Sequence, residues 1–158
     1  QWEIEEPIIT PLGMLAALEF LQQRSSAAGV DEMKRAIDEE RQVARDLNNL
    51  VREVEKVLQN PPLREAREKA RRLLESHPLY NRYYQYQVKD QDADLVLEAK
   101  LSHDLAYYRY FDRVVSLCER VKDLKLLVQE LKKIPPESDW KAVSEYFDKL
   151  DERYRPAD

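Results

Sequence analysis

A reactive centre in this chain would have to start from a short list of residues: His77, His103, Cys118, the carboxylates Glu39-Glu40 and Asp90, Asp92 and Asp94, and nine tyrosines. A catalytic zinc held on a helix needs His-Glu-x-x-His or a similar spacing, and a di-iron bundle needs paired Glu-x-x-His. Neither pattern occurs. A thiol nucleophile needs a histidine base beside it. Cys118 adjoins Leu117 in an apolar stripe, and nothing in the sequence brings a histidine to it. The three aspartates lack the glycine turn and distal glutamate of a calcium loop. His77 precedes Pro78 at an expected helix boundary, where capping is the simpler role, and His103 stands among charges in mid-helix. These spacings predict no enzyme, no metal and no cofactor.

Tyrosine offers binding rather than catalysis. Tyr80, Tyr83, Tyr84 and Tyr86 fall in one short stretch, and Tyr107, Tyr108, Tyr110 and Phe111 in another, with Arg82, Arg109 and Arg113 interleaved. If the chain folds back near Asp90–Asp94, the two clusters face each other as a seam with Arg–aromatic stacking. Such a seam is either a tyrosine-rich core layer or a partner-binding hot spot, because Tyr and Arg are enriched at interfaces. A nucleic-acid platform is disfavoured. From His77 to Arg113 there are five Lys/Arg against six Asp/Glu, so the attraction for a phosphate backbone is missing.

The elements that must position these residues are helices. With only Gly13 and Gly29, no Asn-Gly or Asp-Gly pair, and 36% of residues charged, the composition suits long helices and not sheets. The net charge of −5 comes from interleaved signs, and no apolar run is long enough to span a membrane. Gln1–Glu6 is acidic, unlike a signal peptide, and one cysteine fits a reducing, cytoplasmic setting. A start without Met suggests a trimmed beginning or a longer parent chain.

Proline sets the punctuation. Pro7 and Pro11 predict an extended arm over 1–11 whose Ile4, Ile8 and Ile9 dock on the body or on a partner. A first helix over 12–24 is apolar on nearly every side and so is expected to be buried. Gly29 suits a left-handed cap, and Asp31 an N-cap for a helix over 31–59. That helix carries heptad tracks: Val30, Ile37, Ala44, Val51 and Leu58; Met33, Leu47 and Val54; and Ala36, Val43, Leu50 and Val57. Three tracks make the broad stripe of a multi-helix bundle. A helix over 62–75 turns Leu63, Ala66, Ala70, Leu73 and Leu74 inward, and Arg64, Arg67, Lys69, Arg71 and Arg72 outward. From 79 to 133 no Gly or Pro intervenes, so one long helix with a kink or break near 89–94 is predicted, tracking Leu97, Leu101, Leu105, Tyr108 and Val115, then Leu117, Val121, Leu124, Val128 and Leu131. A last helix over 138–154 lines up Trp140, Val143, Phe147, Leu150 and Tyr154. The expected architecture is a single all-α domain of about five helices, an elongated antiparallel bundle with coiled-coil-like packing.

One stretch resembles a known family. Residues 70 to 83, Ala-Arg-Arg-Leu-Leu-Glu-Ser-His-Pro-Leu-Tyr-Asn-Arg-Tyr, followed by an acidic start and a long amphipathic helix, resemble the YlbF/YmcA-type bacterial helical proteins. Leu131 to Tyr146, with proline between helices and Trp140 six residues before Tyr146, loosely fits that family's second half. The likeness covers residues from about 65 onward. It implies an all-helical, non-enzymatic regulator inside a protein complex, in contact with RNA-processing machinery. Some relatives bind iron–sulfur clusters through grouped cysteines; with Cys118 alone, no cofactor carries over.

The functional expectation is thus a non-catalytic adaptor or regulatory protein that binds a protein partner or a second copy of itself, with no direct contact to nucleic acid or membrane. The candidate contact residues are Ile4, Ile8, Ile9, Tyr80, Arg82, Tyr83, Tyr84, Tyr107, Tyr108 and Arg109. The alternatives are a structural coiled-coil segment of a larger assembly, or a helical bundle with a small-ligand pocket in the tyrosine seam.

Overall fold

The computed structural model describes residues 2–24, 27–59, 62–81, 93–135 and 138–156. Among them the chain is all-α, with seven helices and no strand: α1 (Trp2–Gln23), α2 (Ala27–Leu58), α3 (Leu63–Ser76), α4 (Ala93–Tyr108), α5 (Phe111–Val121), α6 (Leu124–Leu131) and α7 (Trp140–Arg153). A further helical turn covers 78–81. None of these helices is long and apolar enough to cross a membrane.

The chain divides into two compact units, Gln1–Ala44 with Ala106–Asp158, and Arg45–Leu105. A single domain was expected; α2 contributes to both compact units. At 32 residues it is about 48 Å long, more than one small core can cover. Its first half gives Ile37 and Ala44 to the core of the first unit, and its second half buries Leu47, Leu50 and Val54 in the second. The heptad tracks of α2 are thus buried at five positions divided between the two units, while Leu58 at their end is exposed.

In the first unit α1 packs on α5 and α6, and α5 packs on α6 and α7. The core gathers Ile8, Leu15, Tyr110, Phe111, Val114, Leu117, Leu127, Val143, Phe147 and Leu150 around Ile37 and Ala44. In the second unit α3 buries Ala66, Ala70 and Leu74 and leaves its arginines exposed, as its sequence predicted.

Several boundaries depart from the sequence reading. The expected arm is helical: α1 starts at Trp2 and carries Pro7 and Pro11 inside it. A proline in a helix interior costs about 3 kcal/mol. Here both rings are almost fully buried and share a face with Ile8 and Leu15, and burying a large apolar side chain contributes roughly 1.5–3 kcal/mol. Packing across this face outweighs local propensity. Gly29 lies within α2, which starts at Ala27; Gly29 is not left-handed and Asp31 is not the cap.

The long stretch after residue 79 also breaks where no Gly or Pro marks it. The kink expected near 89–94 falls largely outside the described residues. Beyond it, α4 ends at Tyr108, and Tyr110 (φ −111°, ψ 2°) opens α5. Lys122 then adopts a left-handed conformation (φ 56°), its N–H donating to the Cys118 carbonyl, and so ends α5. Asp123 caps α6 by accepting from the Leu126 N–H at 2.9 Å. The apolar track of Leu117, Val121, Leu124, Val128 and Leu131 thus runs through a turn rather than along one helix.

One cap was expected and a second was not. His77 ends α3, its N–H shared between the Leu73 and Leu74 carbonyls, and its Nδ1 accepts from the Leu79 N–H at 3.3 Å, with Pro78 between. Asp139 caps α7 by accepting from the Ala142 N–H at 2.7 Å. From there Val143, Phe147 and Leu150 point into the core, and Trp140 and Tyr154 pack at its edge.

Candidate interaction surface

Successive residues of a helix turn by about 100°. On α1 this sets Pro7, Ile8, Pro11 and Leu15 on one side and Ile9, Gly13, Ala16 and Phe20 on the other. The first set is buried against α5 and α6. The second is apolar and open. Ile9 is 55% and Phe20 53% exposed, Gly13 and Ala16 are exposed between them, and a Cβ on Gly13 would meet nothing within 4 Å. Ile9 and Phe20 stand roughly 16 Å apart along the axis. The Arg24 guanidinium lies 4.8 Å over the Phe20 ring, covering one end of the stripe with a cation. Glu5 is exposed and Glu6 half-exposed at the other end.

α1 was expected to be buried all round. The prolines decide otherwise. They fix which side meets the core, and the mirror side keeps its apolar residues in solvent. Phe20 is the residue that sequence reasoning missed. The signal was its spacing from Ile9, with two small residues between, on the side away from both prolines.

The isoleucines of the N-terminal segment therefore part company. Ile8 is a core residue, Ile9 is surface, and the Ile4 side chain lies outside the described residues. The tyrosines divide as well. Tyr80 is fully buried in the second unit, where its hydroxyl donates to Asp104 Oδ2 at 3.1 Å beside Lys100, which pairs with the same carboxylate. Burial first, and then the Asp104 charge, push the Tyr80 hydroxyl far above its ordinary pKa. Arg82, Tyr83, Tyr84 and Tyr86 lie outside the described residues.

Tyr107, Tyr108 and Arg109 are half-buried and belong to the first unit, as do the buried Tyr110 and Phe111. Tyr110 stacks on Phe147 (4.7 Å, 13° between planes) and donates from its hydroxyl to the Trp140 carbonyl at 3.0 Å. Arg109 lies 4.3 Å over the Trp140 ring and Arg113 5.1 Å over Phe147. These rings come from α7; the expected seam of two facing tyrosine clusters falls partly outside the described residues. Tyr110 and Phe111 are buried in the core of the first unit, and Arg113 is partly exposed.

Charged residues tie the helices of the first unit together. Arg41 on α2 donates from Nε to Asp112 at 2.8 Å, from one terminal nitrogen to Glu119 at 2.6 Å and from the other to Ser116 at 3.0 Å, all on α5. Arg113 and Arg120 of α5 converge on Asp151 of α7, and Arg113 also reaches Asp148. Glu130, its side chain only 7% exposed, sits between Lys133 and Arg153, each at 2.9 Å, while its backbone carbonyl accepts from the Tyr146 hydroxyl at 2.8 Å. The Lys133 ammonium and the Arg153 guanidinium hold its carboxylate below the usual glutamate range, against the opposing effect of burial. These groups are matched in charge and direction; they clamp the fold.

Cys118 is half-buried at the edge of the core, and burial, with Glu119 next, raises its thiol pKa. His103 is exposed, 3.4 Å from Asp104. Among the described residues, no three His, Cys, Asp or Glu side chains group as metal ligands would. Compared with family models, with curated proteins and with solved structures, the chain has no match.

Proposed function

We propose that this chain is a non-catalytic interaction protein, an adaptor or regulator, that docks a protein partner on the outward face of α1. One observation carries the reading. Ile9 and Phe20 stand half-exposed on the same face of a helix whose opposite face is fixed in the core. An apolar stripe held rigid, open at its centre and flanked by charge has the pattern of a recognition face: apolar anchors with a polar rim. The half-buried Tyr107, Tyr108 and Arg109 are secondary candidates on the same unit. A place inside a protein complex, as the YlbF/YmcA likeness implies, belongs to this proposal, and so do a cytoplasmic setting and coiled-coil-like packing within a larger assembly.

The test is a paired substitution. Ile9→Ser with Phe20→Ser removes both anchors without touching the core, so helicity and melting temperature hold while co-purification of the native partner is lost. Retention of the partner by that variant contradicts the proposal.

A further inference from the structure

We infer that the occupant of the α1 face is α1 of a second copy of this chain, laid antiparallel across a twofold axis. The inference rests on the docking reading above and names its partner.

The order of residues along the exposed stripe supplies the first argument. Ile9, Gly13, Ala16 and Phe20 read large, small, small, large in either direction. A twofold axis midway between Gly13 and Ala16 therefore maps the stripe onto itself with its sizes matched. Each Ile9 then faces the Phe20 of the other copy, and each Gly13 faces an Ala16. Small residues at the centre let two helix backbones approach closely while large ones close the ends. A twofold contact must be complementary to itself in this way.

Charge supplies the second argument, and it chooses the direction. Glu5 and Glu6 lie at the N-terminal end of the stripe, and Gln23 and Arg24 at its C-terminal end. In the antiparallel register that pairs Ile9 with Phe20, Arg24 of one copy comes level with Glu5 of the other and lies one residue from Glu6. Arg24 and Glu6 stand on the same flank of the helix, since eighteen positions make five whole turns. Gln23 comes level with Glu6. A parallel pairing would instead set Glu5 and Glu6 against their own copies, and Arg24 against Arg24. Within one chain, residues 6 and 24 lie about 27 Å apart along the helix, so they cannot pair with each other.

One helix face per copy makes a contact at the small end of the range for protein interfaces. The association is accordingly weak and concentration-dependent, not obligate.

The test is sedimentation velocity of the full chain from low to high micromolar concentration, with circular-dichroism melting of each variant. The wild type passes from one chain to two as concentration rises. Glu6→Arg or Arg24→Glu alone weakens the dimer roughly threefold to tenfold, the size of an exposed pair turned repulsive. The two changes together restore it to within about twofold. Gly13→Leu fills open space in a single chain and improves helix propensity, so it melts no lower than wild type, yet it blocks close approach and leaves a monomer. A wild type that stays monomeric throughout overturns the inference, as does a dimer unmoved by Gly13→Leu and the charge swaps. A monomer that still loses a different partner on Ile9→Ser with Phe20→Ser overturns the second copy alone and leaves the docking reading standing.

Discussion

The two compact units bury different kinds of residue. The core of the first is built on large rings and branched chains, with Phe111, Phe147 and Tyr110 almost fully covered and arginine clamps from α2 to α5 and from α5 to α7. Among the described residues, the second buries alanines on α3, Leu47, Leu50 and Val54 on α2, and the ring of Tyr80, hydrogen-bonded to Asp104. Small residues on regular helices follow a periodic pattern. Large rings around short helices need turns and caps that periodicity does not announce.

The comparison can be broken most directly in the first core. Phe147→Ala removes a ring stacked on Tyr110 and is expected to cost about 3–5 kcal/mol, read as the loss in denaturant midpoint at unchanged slope. In the second core Leu74→Ala should cost about 2–3 kcal/mol, and native-state hydrogen exchange should place the loss of protection in residues 45–105. Equal loss of protection in both units from either variant would mean that they act as one.

Charge provides a subtler lever. Because the folded pKa of Glu130 is depressed by Lys133 and Arg153, its ion pairs stabilise the fold at and above the ordinary glutamate range. That contribution disappears as the pH falls through the lowered folded value. Glu130→Gln should therefore be less stable than wild type near neutral pH, with the gap narrowing in acid. A gap that widens in acid would contradict the assignment. The smallest expected effect is a gain: Lys122→Gly relieves a left-handed residue that carries a side chain and should add roughly 0.5–1 kcal/mol.

How much of this was readable follows from the same physics. The helices α3 and α7 were legible nearly to the residue, because Pro62, Pro78, Pro135 and Pro136 bracket them and their apolar spacing is regular. The end of α2 was legible for the same reason. Its start was not, since Gly29 is tolerated inside a helix and announces no turn by itself. The breaks at Tyr110 and Lys122 were hidden because each is made by tertiary contact or by a left-handed lysine, not by Gly or Pro. Asp123 before a run of leucines was a cap signal that the apolar track obscured.

The candidate surface was half legible. The isoleucines of the N-terminal segment drew attention for the right chemical reason, but proline was read as a bar to helix. Local propensity could not show that Pro7 and Pro11 would be buried side by side. Once they are, Ile8 and Ile9 fall on opposite faces, and the exposed partner of Ile9 is Phe20.

That opposition is the centre of the account, and two adjacent residues test it. Ile8→Ser and Ile9→Ser should be made in parallel, and each should be measured by thermal melting and by sedimentation across concentration. Ile8→Ser is predicted to lower stability by about 2–5 kcal/mol, the cost of removing a buried isoleucine. Ile9→Ser is predicted to melt within about 0.5 kcal/mol of wild type, as surface changes do, and to lose association. Equal destabilisation by the two, or association untouched by Ile9→Ser, would contradict the division of α1 into a core face and a docking face.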